Sequence, residues 1–127
     1  MDKPTKTILV AEDEPSLLDI LARRVMEAGF KVIKASDGEQ AIANAEKHKP
    51  DAALVDIIMP KKNGFDVIEK LKRNNPDLPI IVITNLEGQQ DQDTAKHLGV
   101  TDYVLKSNTS MRQLQQRLIQ LFEKDKV

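Results

Sequence analysis

Apolar residues fall into two alternating patterns along this chain. Short, nearly unbroken apolar runs occur at Thr7–Ala11, Lys31–Lys34, Ala52–Val55, Pro79–Thr84 and Thr101–Leu105. A strand covered on both faces shows no polar side, so such runs predict the buried strands of a parallel sheet. Between them the apolar positions recur at helical spacing. Leu17, Leu21 and Val25 repeat every four residues behind Pro15, which suits a first helical turn because its missing N–H has no partner to lose there. Val67, Ile68 and Leu71 mark a third helix, and Leu114, Leu118, Leu121 and Phe122 give a fifth its apolar face. Ser36 with Glu39 reads as a capping box opening the second helix, and Ser110 with Gln113 as one opening the last. Gly29 and Gly99 stand where helix C-caps favour left-handed backbone. The fourth helical segment, from Glu87 to Gly99, has only Ala95 and Leu98 as clearly apolar residues. With so little to bury, it is expected to be short, frayed or mobile.

The pattern amounts to five βα units without repeat or linker. Right-handed crossovers then place helices on both faces of one parallel sheet. At 127 residues the chain suits one core, so residues 1–127 are expected to form a single domain. Composition adds exclusions. With 40% apolar and 31% charged residues the chain has enough to bury and is not of the disordered class. A net charge of −1 gives no reason to expect direct nucleic-acid or membrane-surface binding. Runs such as Ile80–Ile83 are too short to cross a bilayer, and with no charged-then-apolar stretch before the first strand no signal peptide is expected. The absence of cysteine excludes disulfides and thiolate metal sites and fits a reducing compartment, so the expected location is cytoplasmic.

In an open parallel sheet, ligands bind beyond the carboxyl ends of the strands. Polar residues collect there. The first run ends in Glu12-Asp13, the third in Asp56, the fourth in Thr84, and the fifth is followed by Lys106; the second offers nothing comparable. Each residue alone has an ordinary explanation: Glu12-Asp13-Glu14 as an acidic helix start, Asp56 as a turn former, Thr84 as a strand end, Lys106 as a solvated cation. Their coincidence at four strand ends outweighs those explanations. Carboxylates about 5 Å apart repel by roughly 3 kcal/mol at an effective dielectric near 20, so such a cluster protonates or binds a cation. An all-oxygen donor set with few carboxylates favours Mg²⁺. Cation and lysine together could hold the charge of a phosphoryl group in transfer, with the Thr84 hydroxyl as donor and Asp56 as nucleophile. His48 and His97 are read as exposed helix-end residues.

These residues resemble the receiver domains of bacterial two-component response regulators. The resemblance spans essentially the whole chain. It is carried by Ile8-Leu9-Val10-Ala11-Glu12-Asp13-Glu14, by Asp51 through Pro60 with Gly64, by Ile80-Ile81-Val82-Ile83-Thr84 and by Gly99 through Lys106. It implies a flavodoxin-like (βα)5 three-layer α/β sandwich with strand order 2-1-3-4-5. It further implies that Asp56 is phosphorylated by a sensor histidine kinase or histidine phosphotransfer protein. Asp13, Asp56 and the backbone carbonyl of Ile58 would bind Mg²⁺, with Glu12 acting directly or through a water. Thr84 and Lys106 would bind the phosphoryl group, and Tyr103 would be the aromatic that rotates inward as Thr84 moves. A downstream protein would read the face formed by the fourth helix, fifth strand and fifth helix, and no output domain is expected. Four positions depart from the commonest pattern of the family: Glu12 in place of Asp, Asn85 in place of a small residue, Leu86 where polar groups are frequent, and Ser107 in place of proline. With Ser107 the cis peptide often found there is not expected.

Two other classes compete with this reading. A receiver-fold binding module that signals without phosphorylation would find support only in Asn85 and Ser107. A phosphohydrolase with an aspartyl nucleophile would carry a second acid two residues on, where this chain has Ile58. A dinucleotide enzyme is weaker still, because Glu12-Asp13-Glu14-Pro15 replaces the glycine-rich loop.

Overall fold

The computed structural model describes residues 5–59 and 63–123; Pro60, part of the third motif above, lies outside them. The elements follow in strict alternation: β1 (Thr7–Ala11), α1 (Pro15–Glu27), β2 (Lys31–Ala35), α2 (Gly38–His48), β3 (Ala52–Val55), α3 (Gly64–Asn74), β4 (Ile80–Thr84), α4 (Gln89–His97), β5 (Asp102–Leu105) and α5 (Met111–Glu123). The strands form one parallel sheet in the order β2-β1-β3-β4-β5. This is the flavodoxin-like arrangement the sequence implies.

The alternation of side chains along each strand builds two apolar layers. In β1, Leu9 and Ala11 face α2, α3 and α4, together with Ala41, Val67, Ile68, Leu71 and Ala95. Ile8 and Val10 face α1 and α5, together with Leu18, Leu21, Val25, Leu114 and Leu118. On α1 the buried stripe is Leu18, Leu21, Ala22 and Val25, so the expected Leu17 sits at its edge, half-buried.

Helix ends mostly match their local signals. Pro15 is the first residue of α1, and Gly29 and Gly99 adopt φ of 102° and 89° after their helices. The capping box at α5 is reciprocal: Gln113 N–H donates to Ser110 Oγ at 3.1 Å, and Ser110 N–H donates to Gln113 Oε1 at 2.8 Å. At α2 the expected Ser36–Glu39 box is corrected. The cap is Asp37, whose Oδ1 accepts the Gln40 N–H at 2.8 Å, while Gln40 Oε1 accepts the Ser36 N–H at 2.9 Å. An aspartate caps as well as a serine, and Gly38 tolerates the first helical position, so the helix opens one residue later. As expected, α4 is poorly anchored: it spans 9 residues, buries only Ala95, and has no side-chain bond at its Gly88 cap.

Candidate functional site

The sheet delivers three acids and a lysine to one rim. Beyond β1, the Glu12 N–H donates to Ala35 O at 3.0 Å, continuing the ladder with β2. Beyond β3, the Asp56 N–H donates to Ala11 O at 3.0 Å, continuing the ladder with β1. The backbone of both residues is therefore held by sheet hydrogen bonds, and both residues are buried, at 1% and 3% exposure. Asp13, next in the chain, is exposed. One carboxylate oxygen from each of Glu12, Asp13 and Asp56 lies within 4.8 Å of the others. The Lys106 amine, arriving from the end of β5, donates to Glu12 Oε1 at 2.7 Å and to Asp56 Oδ2 at 2.8 Å. The remaining oxygens are also used: Glu12 Oε2 accepts the Glu14 N–H at 3.1 Å and Asp56 Oδ1 the Ile58 N–H at 3.0 Å. An open cleft of about 350 Å³ lies over these groups, with Leu17, Ile58 and Asn85 on its rim.

Burial, reinforced by the Asp56 charge, pushes the Glu12 carboxyl above its ordinary value, although Lys106 and the Glu14 N–H oppose the rise. Burial alone would lower the Lys106 amine; hydrogen bonds and charges from Asp56 and Glu12 outweigh it and the net shift is upward. Lys106 thus stays protonated and compensates two buried carboxylates. Lys106→Met is expected to lower stability by about 2–3 kcal/mol in the absence of divalent cation, less than for a fully buried pair because the lysine retains some exposure. The contribution of a raised lysine is complete below its ordinary pKa and is lost as pH rises through the raised value. Urea midpoints of parent and variant should therefore converge at strongly alkaline pH, and a gap that persists there would contradict the pairing.

Thr84 and Tyr103 are not in the cleft lining. Thr84 is fully buried, and its Oγ1 accepts the Leu86 N–H at 3.3 Å. The Tyr103 hydroxyl donates to Leu86 O at 2.8 Å, and its ring packs against the α3–α4 layer. Both residues thus bond to the backbone of a single residue, Leu86, in the β4–α4 loop. Burial and the charges of Asp91 and Asp56 raise the Tyr103 hydroxyl's pKa, so it remains a donor. Sequence reasoning missed this junction, because backbone partners leave no side-chain signal. After β5, Lys106–Asn108 form a single 3-10 turn, and among the described residues no peptide is cis, as Ser107 leads one to expect. His48 and His97 are exposed at the ends of α2 and α4.

The donor set fits a hard divalent ion. Three carboxylate oxygens converge without a histidine or cysteine, and the acids exceed the lysine in charge.

Acids and a lysine converging at the carboxyl rim of a parallel sheet are the arrangement that the resemblance to receiver domains implies. The profile of the response regulator receiver domain family matches residues 8–119, and the chain belongs to that family. Members are phosphoryl-accepting signalling switches. The chain is 37% identical over 101 residues to the alkaline phosphatase synthesis transcriptional regulatory protein PhoP of Bacillus subtilis, covering 80% of this chain and 42% of PhoP. It is 36% identical over 124 residues to the "Probable transcriptional regulator ycf27" of Cyanophora paradoxa, covering 98% of this chain and 51% of that protein. It therefore spans about half the length, or less, of these relatives. In fold it is similar to a CheY-like receiver domain protein from Methanospirillum hungatei, with a TM-score of 0.91, 22% identity, and coverage of 97% and 98% of the two chains. No helix among the described residues is long and apolar enough to cross a membrane.

Proposed function

We propose that this chain is a switch of a two-component or phosphorelay system in which Asp56 accepts a phosphoryl group. The donor is the phosphohistidine of a sensor histidine kinase or histidine phosphotransfer protein. The observation that carries this reading is the Asp56 carboxylate, buried at the floor of an open cleft with a lysine amine at 2.8 Å and two further acids beside it. An Asp56 oxygen attacks phosphorus while the P–N bond breaks and its electron pair leaves with the imidazole nitrogen, giving an acyl phosphate. Asp13, Asp56 and the Ile58 carbonyl would hold Mg²⁺, with Glu12 in contact directly or through a water. When bound, Mg²⁺ supplies charge compensation for the phosphoryl oxygens. Lys106 passes from Asp56 Oδ2 to a phosphoryl oxygen, and the Thr84 hydroxyl turns toward the same group. Residues 8–119 act as one receiver unit, and autodephosphorylation is at most slow.

The test is intact mass after incubation with acetyl phosphate. One base-labile phosphoryl group should appear with Mg²⁺ and disappear with chelator; labelling that ignores the cation would defeat the reading.

Movement of Thr84 acts on Leu86, to which Tyr103 is also bonded, and then on α4, the helix with least buried apolar surface. The face of α4, β5 and α5 is therefore the surface a downstream protein reads. A coupling of about 1–3 kcal/mol is enough to change a partner's affinity roughly 5- to 150-fold. Hydrogen exchange with beryllofluoride should change between Gly88 and Tyr103 while α1 stays quiet; changes confined to α1 and α2 would contradict this route.

A further inference from the structure

A second cavity, of about 320 Å³, lies at the amino ends of β3 and β4, opposite the Asp56 cleft. It sits between the C-terminal ends of α2 and α3. Its apolar walls are Ala45 on α2, Leu71 on α3, and Pro50 and Leu78 on the loops that follow those helices. Leu71 and Leu78 belong to the buried core, so the walls are preformed rather than built from loose surface groups.

Polar groups surround this apolar interior, and most of them lack partners. Glu46 Oε1 accepts Asn74 Nδ2 at 3.2 Å, while its second oxygen has no hydrogen bond among the described residues. The side chains of Lys49 and Asn75 also line the cavity, and neither makes a hydrogen bond or ion pair among the described residues. An anion and a cation thus share one apolar cavity without satisfying each other.

The backbone of Lys49 is a second, independent sign. It ends α2 in the left-handed region at φ 50°, and among the described residues it is the only non-glycine with positive φ. Glycine is the usual occupant of such a cap, and the following Pro50 restricts the lysine further. Strain of this kind gathers at functional sites, ligand clamps among them.

We propose that this cavity binds a small zwitterion, an α-amino acid with an aliphatic side chain. Its ammonium group meets Glu46, where the ends of α2 and α3 add partial negative charge. Its carboxylate meets the Lys49 ammonium and the Asn75 amide, and its side chain fills the space between Ala45, Leu71 and Leu78. A purely cationic ligand would confront Lys49, and a purely anionic one Glu46 and both helix ends. The volume is at the low end for small-molecule sites, which suits one amino acid better than a peptide or nucleotide. Nothing in this proposal depends on the chemistry of Asp56.

The test titrates the ¹⁵N-labelled full chain with L-leucine and follows backbone amide shifts by NMR. The amides of Ala45, Lys49, Leu71, Asn75 and Leu78 should move together, with a dissociation constant of about 1 mM or below. Isoamylamine, which lacks the carboxylate, and isocaproate, which lacks the amine, should each bind at least about fivefold more weakly. Lys49→Gly relaxes the left-handed cap, so it should raise the urea midpoint while weakening L-leucine at least about fivefold. Weaker binding by a more stable protein is not a folding defect. Ala45→Leu, which fills the cavity, should abolish the shifts. Absence of saturable shifts at these residues up to about 10 mM L-leucine would overturn the proposal. So would parental affinity in either variant, or a truncated analogue that binds as tightly as L-leucine.

Discussion

Asp56→Asn is expected to abolish base-labile phosphorylation, lowering the initial labelling rate at least about 100-fold. The substitution is nearly isosteric. The asparagine carbonyl can still accept the Ile58 N–H that Asp56 Oδ1 receives at 3.0 Å, so the turn after β3 should survive. What it loses is the carboxylate proposed as the nucleophile. The amide NH₂ would then confront the Lys106 ammonium, donor against donor, and the lysine should shift entirely to Glu12. One of three converging carboxylates is also gone, so the stabilisation by Mg²⁺ should shrink with it. Intact mass with and without Mg²⁺ and a thermal melt measure both effects. Labelling of the Asn variant at the parental rate would place the acceptor elsewhere.

The strands were legible because parallel burial leaves an unbroken apolar run. Thr7–Ala11 and Ala52–Val55 coincide with β1 and β3, and the other three runs differ from β2, β4 and β5 by one residue at an end. The rim was legible for a related reason. Where an apolar run stops, the next residue lies at the sheet edge, and Glu12, Asp13, Asp56 and Lys106 do converge there. Local competition was harder to read. Ser36 and Asp37 are both good caps, and only backbone geometry decided for Asp37. Contacts across the sheet were out of reach. Glu12 and Lys106 are 94 residues apart, and nothing local says that the longer acid meets the lysine. The meeting of Thr84 and Tyr103 on the Leu86 backbone is hidden because backbone partners leave no side-chain signal.

Gly64→Ala is expected to have the largest effect on stability of any single-methyl change near the site. Gly64 opens α3 and is buried, and its N–H donates to Ile57 O at 3.1 Å. A Cβ there would stand 2.2 Å from the Ile57 Cα and 2.5 Å from its carbonyl oxygen. Both are backbone atoms, so no side-chain rotation relieves the overlap, and the start of α3 must move away from the end of β3. That shift strains the segment directly after Asp56 and uncovers Val67 and Ile68, which are fully buried against the sheet. A loss of about 3 kcal/mol or more is expected, at the upper end of overpacking effects. Gly88→Ala is the matched control, because a Cβ there meets only Asp91 Oδ2 at 3.4 Å, and it should cost no more than about 1 kcal/mol as a poorer helix cap. Urea unfolding of the two variants decides the point. If Gly64→Ala loses no more than Gly88→Ala, the close approach of α3 to Ile57 yields easily and does not hold the acceptor segment in place.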